Sequence, residues 1–112
     1  HRLKPGFRGL VTVRGQIHPC IDLGILLGCA SAEARSASPR MVLISDDSDC
    51  FAFVADEVDN LFVIPKTSIS EPPISIRDAK PSYINGMVRI TDRDIALLDE
   101  EFLLHALKDL CQ

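Results

Sequence analysis

Residues 9–27 recur in outline 77 positions later, and this internal echo constrains the fold more than any other feature of the chain. Laid one on the other, Gly9 falls on Gly86, Leu10 on Met87, Val11 on Val88 and Val13 on Ile90. Further along, Cys20 meets Leu97, Ile21 meets Leu98, Asp22 meets Asp99, Ile25 meets Phe102, and Leu26 and Leu27 meet Leu103 and Leu104. Each copy reads as a strand, a polar turn, a second strand, an aspartate and an apolar helix. Two readings are open: a pseudo-duplicated β domain with two related halves, or two hairpins with capped helices that resemble each other only because such units look alike.

The remaining segments fit a mostly β chain. "FRGLVTV" (7–13) and "QIHPCID" (16–22) are β-rich runs about Arg14-Gly15, which predicts a hairpin. Pro19 cannot donate to a ladder, so the second run should be an edge or bulged strand there. Asp22 is placed to cap a short helix over "DLGILLG" that Gly28 ends. "CASAEARSASPR" (29–40) reads as an exposed loop, "MVLIS" (41–45) as a buried strand, "DDSD" (46–49) as a polar turn, and "CFAFVADEV" (50–58) as the returning strand. A further strand is expected from Leu61 to Ile64, closed by Pro65, followed by a long, specifically shaped connection from Lys66 to Ser82. Tyr83–Thr91 and Asp94–Asp99 form a second strand pair. "DEEFLLHALKDL" (99–110) is then a helix capped by Asp99, with Leu103, Leu104, Leu107 and Leu110 as its apolar face and Lys108 at its negative end.

Composition narrows the function classes. With 112 residues, 46% of them hydrophobic and 25% charged, the chain is an ordinary single globular domain. No apolar run approaches the roughly 20 residues of a membrane span, and no signal-peptide pattern opens the sequence, so the expected compartment is the cytoplasm. A net charge of −4 and an aromatic content of 5% without Trp argue against nucleic acid and anionic membrane surfaces as the main ligand. Cys20, Cys29, Cys50 and Cys111 form no C-x-x-C pair, which leaves no structural zinc spacing and points to buried free thiols.

Reactive side chains crowd in one stretch. Arg14, His18, Cys20 and Asp22 fall within nine residues. A Cys/His hydrolase or redox site would use Cys20 and His18, which strand alternation puts on one face with Gln16, opposite Ile17 and Ile21. No Gly-rich oxyanion loop follows, and Asp22 is accounted for as a cap. "DDSDCFAFVADE" has a calcium-loop outline from Asp46 to Glu57, but Cys50 takes a ligand position and Phe51 stands where the loop needs Gly. Asp56 and Glu57 would point to opposite faces of a strand and make no acid–base pair. No catalytic, metal or cofactor residue is therefore assigned. Arg14 is either a polar turn residue or a fixed guanidinium fork for a partner carboxylate.

"GLVTVRGQIHPCIDLGILLG" resembles the signature of CheW-like domains, the chemotaxis adaptor family, at Val13-Arg14-Gly15, Pro19, Asp22-Leu23 and Gly28. Ala55-Asp56-Glu57-Val58 resembles its Val-Asp-x-Val strand, and Gly86, Leu97, Leu98 and Asp99 resemble its closing strands and helix. The resemblance implies two SH3-like β-barrel subdomains with short helices, and a non-catalytic role bridging methyl-accepting chemoreceptor tips to the regulatory domain of a CheA-type histidine kinase. It implies partner contacts at Arg14 and its neighbours Gly15 and Gln16, no cofactor, and a place in cytoplasmic receptor arrays without insertion into the membrane. Such domains open with a strand pair ahead of the Arg-Gly hairpin, whereas His1 stands in the loop before it. The first barrel is thus expected to be incomplete, as in a truncated domain or one completed by strand exchange in a homodimer. The regulatory domain of a larger chemosensory protein, a kinase or a CheW–receiver fusion, would read the same way.

Overall fold

The computed structural model describes residues 4–28, 38–77 and 83–112. The chain is mostly β, with two sheets and short helices, and divides into two compact units: His1–Asp59 with Leu104–Gln112, and Asn60–Leu103.

In the first unit, β1 (Phe7–Val13) and β2 (Gln16–Ile21) form the expected hairpin, with Val13 opposite Gln16 and Gly9 opposite Cys20. The short helix α1 (Leu23–Leu26) follows, and β3 (Arg40–Ser45) and β4 (Cys50–Ala55) make a second hairpin about the 46–49 turn. The sheet order is β1-β2-β4-β3, with β2 and β4 parallel through Cys20–Ala52 and Ile21–Phe53. Pairing with β4 thus begins one residue after Pro19. At Pro19 itself β2 is still an edge on that side, as a residue without an N–H requires. The bulge lies across the ladder, in β1 between Phe7 and Gly9. Ile21, Phe51, Ala52, Leu104 and Leu107 are buried in this unit.

The second unit holds β5 (Ile84–Ile90) and β6 (Arg93–Leu98), a two-stranded sheet. The Lys66–Ser82 connection has the specific shape expected of it where it is described. A 3₁₀ turn at Lys66–Ser68 precedes a bridge in which Ser70 and Met87 exchange both backbone hydrogen bonds at 2.9 Å, and then helix α2 (Ile74–Arg77). Tyr83 is buried and stacks on Phe102 at 5.1 Å. Helix α3 (Glu100–Leu110) begins in this unit, and from Leu104 its residues belong to the first. Leu103, Leu104 and Leu107 are buried and Leu110 is half-buried, so the expected apolar face is the packed one.

Several expectations are corrected. Leu61–Ile64 is not a strand: Leu61 and Val63 are each 98% exposed, and no strand among the described residues offers its backbone a ladder. Four apolar residues have strand propensity, but a strand exists only where a partner pairs with it. β4 stops at Ala55, so Asp56, Glu57 and Val58 lie beyond it rather than on a strand. β3 is an edge strand with Met41 and Leu43 exposed and Val42 and Ile44 half-buried, not a buried one. Cys20 is buried as a free thiol, whereas Cys50 and Cys111 are only half-buried. Cys29, Pro81 and most of the 29–40 loop lie outside the described residues. The expected fold class stands: a mostly β chain of two sheets with short helices.

The echo holds at the level of hydrogen bonds. Asp22 N–H donates to Gly6 O at 2.7 Å, and Asp99 N–H donates to Tyr83 O at 2.7 Å. Asp22 Oδ1 accepts from Ile25 N–H and Asp99 Oδ1 from Phe102 N–H, both at 3.1 Å. The bulges also coincide, Phe7/Gly9 in one hairpin and Ile84/Gly86 in the other.

Candidate functional site: the tip of the first hairpin

Arg14 and Gly15 form the whole connection between β1 and β2, with φ of 51° and 80°. Two successive positive φ values are the mark of a type I′ turn, whose twist matches that of the strands it joins. Gly15 takes this conformation freely, with open space around its α-carbon. Arg14 does not: a side chain with a Cβ in the left-handed region is held at a cost of about 1–2 kcal/mol. Arg14, Gly15 and Gln16 are all exposed, and Arg14 makes no hydrogen bond or ion pair with any described residue. The hairpin's other cation differs. Arg8 Nη1 donates to Asp22 Oδ2 at 3.3 Å, so Asp22 both caps α1 and neutralises an arginine.

Gln16 leads into an open depression of about 400 Å³ between Gln16–Pro19 and the Ser45–Cys50 turn. The turn is tightly organised. Asp46 Oδ1 accepts from Ser48 N–H at 2.9 Å and Asp49 N–H at 2.8 Å, while Lys108 Nζ reaches Asp46 Oδ2 at 2.5 Å and Asp49 Oδ2 at 3.7 Å. The Lys108 ammonium, helped by the two backbone donors, holds the Asp46 carboxyl down at about 2, and Asp46 in turn raises the Lys108 pKa. This clamp between α3 and the turn was not foreseen, because nothing local links Lys108 to a turn some sixty residues earlier.

The residues weighed for catalysis do not assemble. His18 is half-buried and lines the depression, but Cys20 is 8% exposed and does not. Among the described residues no hydrogen bond joins the two, and Cys20 is a buried free thiol. Among the described residues no three His, Cys, Asp or Glu side chains are grouped to hold a metal ion. His105 is exposed on α3, 3.8 Å from Asp109.

The hairpin has one further feature that residue-by-residue reading did not single out. Thr12 faces Ile17 and Leu10 faces Pro19 across the ladder, so these four share a face, and on it Leu10 and Ile17 are 67% and 66% exposed. Strand alternation gives that grouping; only the structure gives the exposure.

Comparison with known proteins completes the description of the site. The CheW-like domain family matches residues 1–108. Among solved structures, the scaffolding protein TtCheW from Thermoanaerobacter tengcongensis superposes with a TM-score of 0.66 at 22% identity, over 82% of this chain and 58% of that one. The chain therefore spans a little over half the length of that structure, and the likeness is one of fold. No curated protein matches. No helix among the described residues is long and apolar enough to cross a membrane. By the match over nearly its whole length, this chain belongs to the CheW-like domain family.

Proposed function

We propose that the chain is a non-catalytic adaptor domain that couples chemoreceptors to a CheA-type histidine kinase, working in the cytoplasm beside the receptor array. It docks through the β1–β2 tip, with Arg14 as the contact and Gly15 and Gln16 shaping its surroundings. Family membership supports the adaptor role. One observation carries the assignment of Arg14: an arginine is held at φ 51°, exposed and without a partner among the described residues, in a turn where the fold itself favours asparagine or glycine. A strained residue that no packing requires is accounted for by what it binds. A guanidinium suits this role because its planar fork engages a carboxylate in two parallel hydrogen bonds.

Isothermal titration tests the reading. A CheA-type regulatory domain or a chemoreceptor cytoplasmic tip should bind the wild-type chain saturably, and Arg14→Ala should weaken that binding by roughly tenfold or more. Equal binding by wild type and Arg14→Ala would remove Arg14 from the interface, and absence of binding to either partner would remove the adaptor role.

A further inference from the structure

We infer that the outer edge of β3 is a dimerisation surface, at which a second copy of this chain adds its own β3 in antiparallel pairing about a two-fold axis at Leu43. The inference is independent of the adaptor reading.

β3 ends the first sheet, so among the described residues no strand pairs with its outer edge. Sheets ordinarily blunt such an edge with a charge, a proline or a bulge. From Met41 to Ser45 β3 has none of these, and its register with β4 runs unbroken from Arg40–Ala55 to Ser45–Cys50. The edge is also apolar on one side. Met41 and Leu43 share a face and are 46% and 44% exposed, and Val54, opposite Met41 in β4, is exposed too. The same face is packed farther into the sheet, at Ala52 and Cys20. These exposed side chains therefore lie at the margin where a further strand would add.

Charge selects the occupant. Arg40, at the start of β3, is exposed and has no partner among the described residues. Past the end of β3, the 46–49 turn carries three aspartates. Lys108 holds Asp46 and Asp49, and Asp47 has no partner among the described residues. The strand is basic at one end and acidic at the other, which makes it complementary to itself reversed. A two-fold axis through an antiparallel pair keeps every side chain on its own face, so only registers that set like faces opposite each other are open. Centring on Leu43 sets Leu43 against its copy, Met41 against Ser45, and Arg40 against Asp46 beside the spare carboxylate of Asp47. Centring on Val42 would leave Arg40 opposite Ile44. The Leu43 register thus gains an opposite-charge contact at both ends and joins the two apolar margins into one stripe, while the shared ladder supplies backbone hydrogen bonds.

Sedimentation over a concentration series, with a thermal melt of each variant, tests the pairing. Wild type should dimerise. Leu43→Lys should stay monomeric, because it sets two ammonium groups opposite each other, and Leu43→Met should dimerise within roughly threefold of wild type. Arg40→Glu and Asp47→Lys should each weaken dimerisation by about tenfold or more. Mixed in equal amounts, these two should form a heterodimer near wild-type affinity, since the reversed charges then meet at one end and the native ones at the other. The charge variants alter exposed side chains and should melt like wild type, so they decide the matter even where Leu43→Lys melts low. A wild-type chain still monomeric at about 1 mM would overturn the inference, as would a dimer that Leu43→Lys and Arg40→Glu leave intact. Growth beyond a dimer, or β3 amides protected from exchange only when a CheA-type domain is added, would overturn the two-fold partner proposed here.

Discussion

Arg14 sits in a backbone conformation that asparagine would adopt at lower cost, and this makes stability and binding separable at one residue. Arg14→Asn creates an Asn-Gly type I′ turn. The variant should be more stable than wild type by about 0.5–1 kcal/mol in a denaturant melt while binding the kinase domain more weakly. Loss of both would mean that Arg14 supports the fold rather than a partner. The equivalent turn of the second unit is more strained still. Thr91 and Asp92 have φ of 47° and 64°, and threonine is β-branched. Replacing the pair by Asn-Gly should stabilise the chain by about 1–2 kcal/mol, and an unchanged melt would show that the strain is relieved in solution. Glycines at equivalent places serve unlike purposes. Gly9 takes φ 128° in open space, whereas a Cβ at Gly86 would approach Ile69 Cγ2 to 2.8 Å. The echo in the sequence marks both positions but cannot distinguish a dihedral requirement from a packing one.

Among the elements, the two aspartate caps are the features that local sequence specifies best. Each stands one residue beyond a strand and before an apolar run, and each accepts the N–H three residues on. Asp99→Ala should destabilise the chain by about 1 kcal/mol, with Asp99→Asn or Asp99→Ser recovering most of it, as urea titration would report. Hairpins and caps are legible because every interaction in them spans a few residues. The Leu61–Ile64 segment departs from its strand propensity because propensity is a local quantity and strand formation is not: a ladder partner has to be supplied from elsewhere in the chain. The clamp of Lys108 on Asp46 is invisible to local sequence for the same reason. Its pH dependence is set by a carboxyl held at about 2, below its ordinary 3.8. The contribution to stability is complete above the ordinary value and is lost as pH falls through about 2. Lys108→Met should raise the Asp46 midpoint towards 3.8 in a carboxyl NMR titration and start acid unfolding at higher pH. An unmoved midpoint would assign the shift to the Ser48 and Asp49 amides alone.

At the scale of the whole molecule, the net charge of −4, the two-sheet fold and the family match over residues 1–108 fit the proposed adaptor reading. The mostly β fold and the family were legible from the ordered motifs at Arg14-Gly15, Asp22 and Asp99. The candidate site was legible only as a turn with an arginine. Its strain, its lack of a partner among the described residues and the aliphatic pair behind it depend on dihedral angles and burial. The account therefore stands on where binding occurs. The most direct measurement is a backbone amide NMR titration of the labelled chain with a CheA-type regulatory domain. The account predicts that signals from Leu10 to Ile17 shift or broaden first, with the Ile84–Leu98 hairpin less affected. Perturbation confined to other segments, or none at saturating kinase domain, would contradict it.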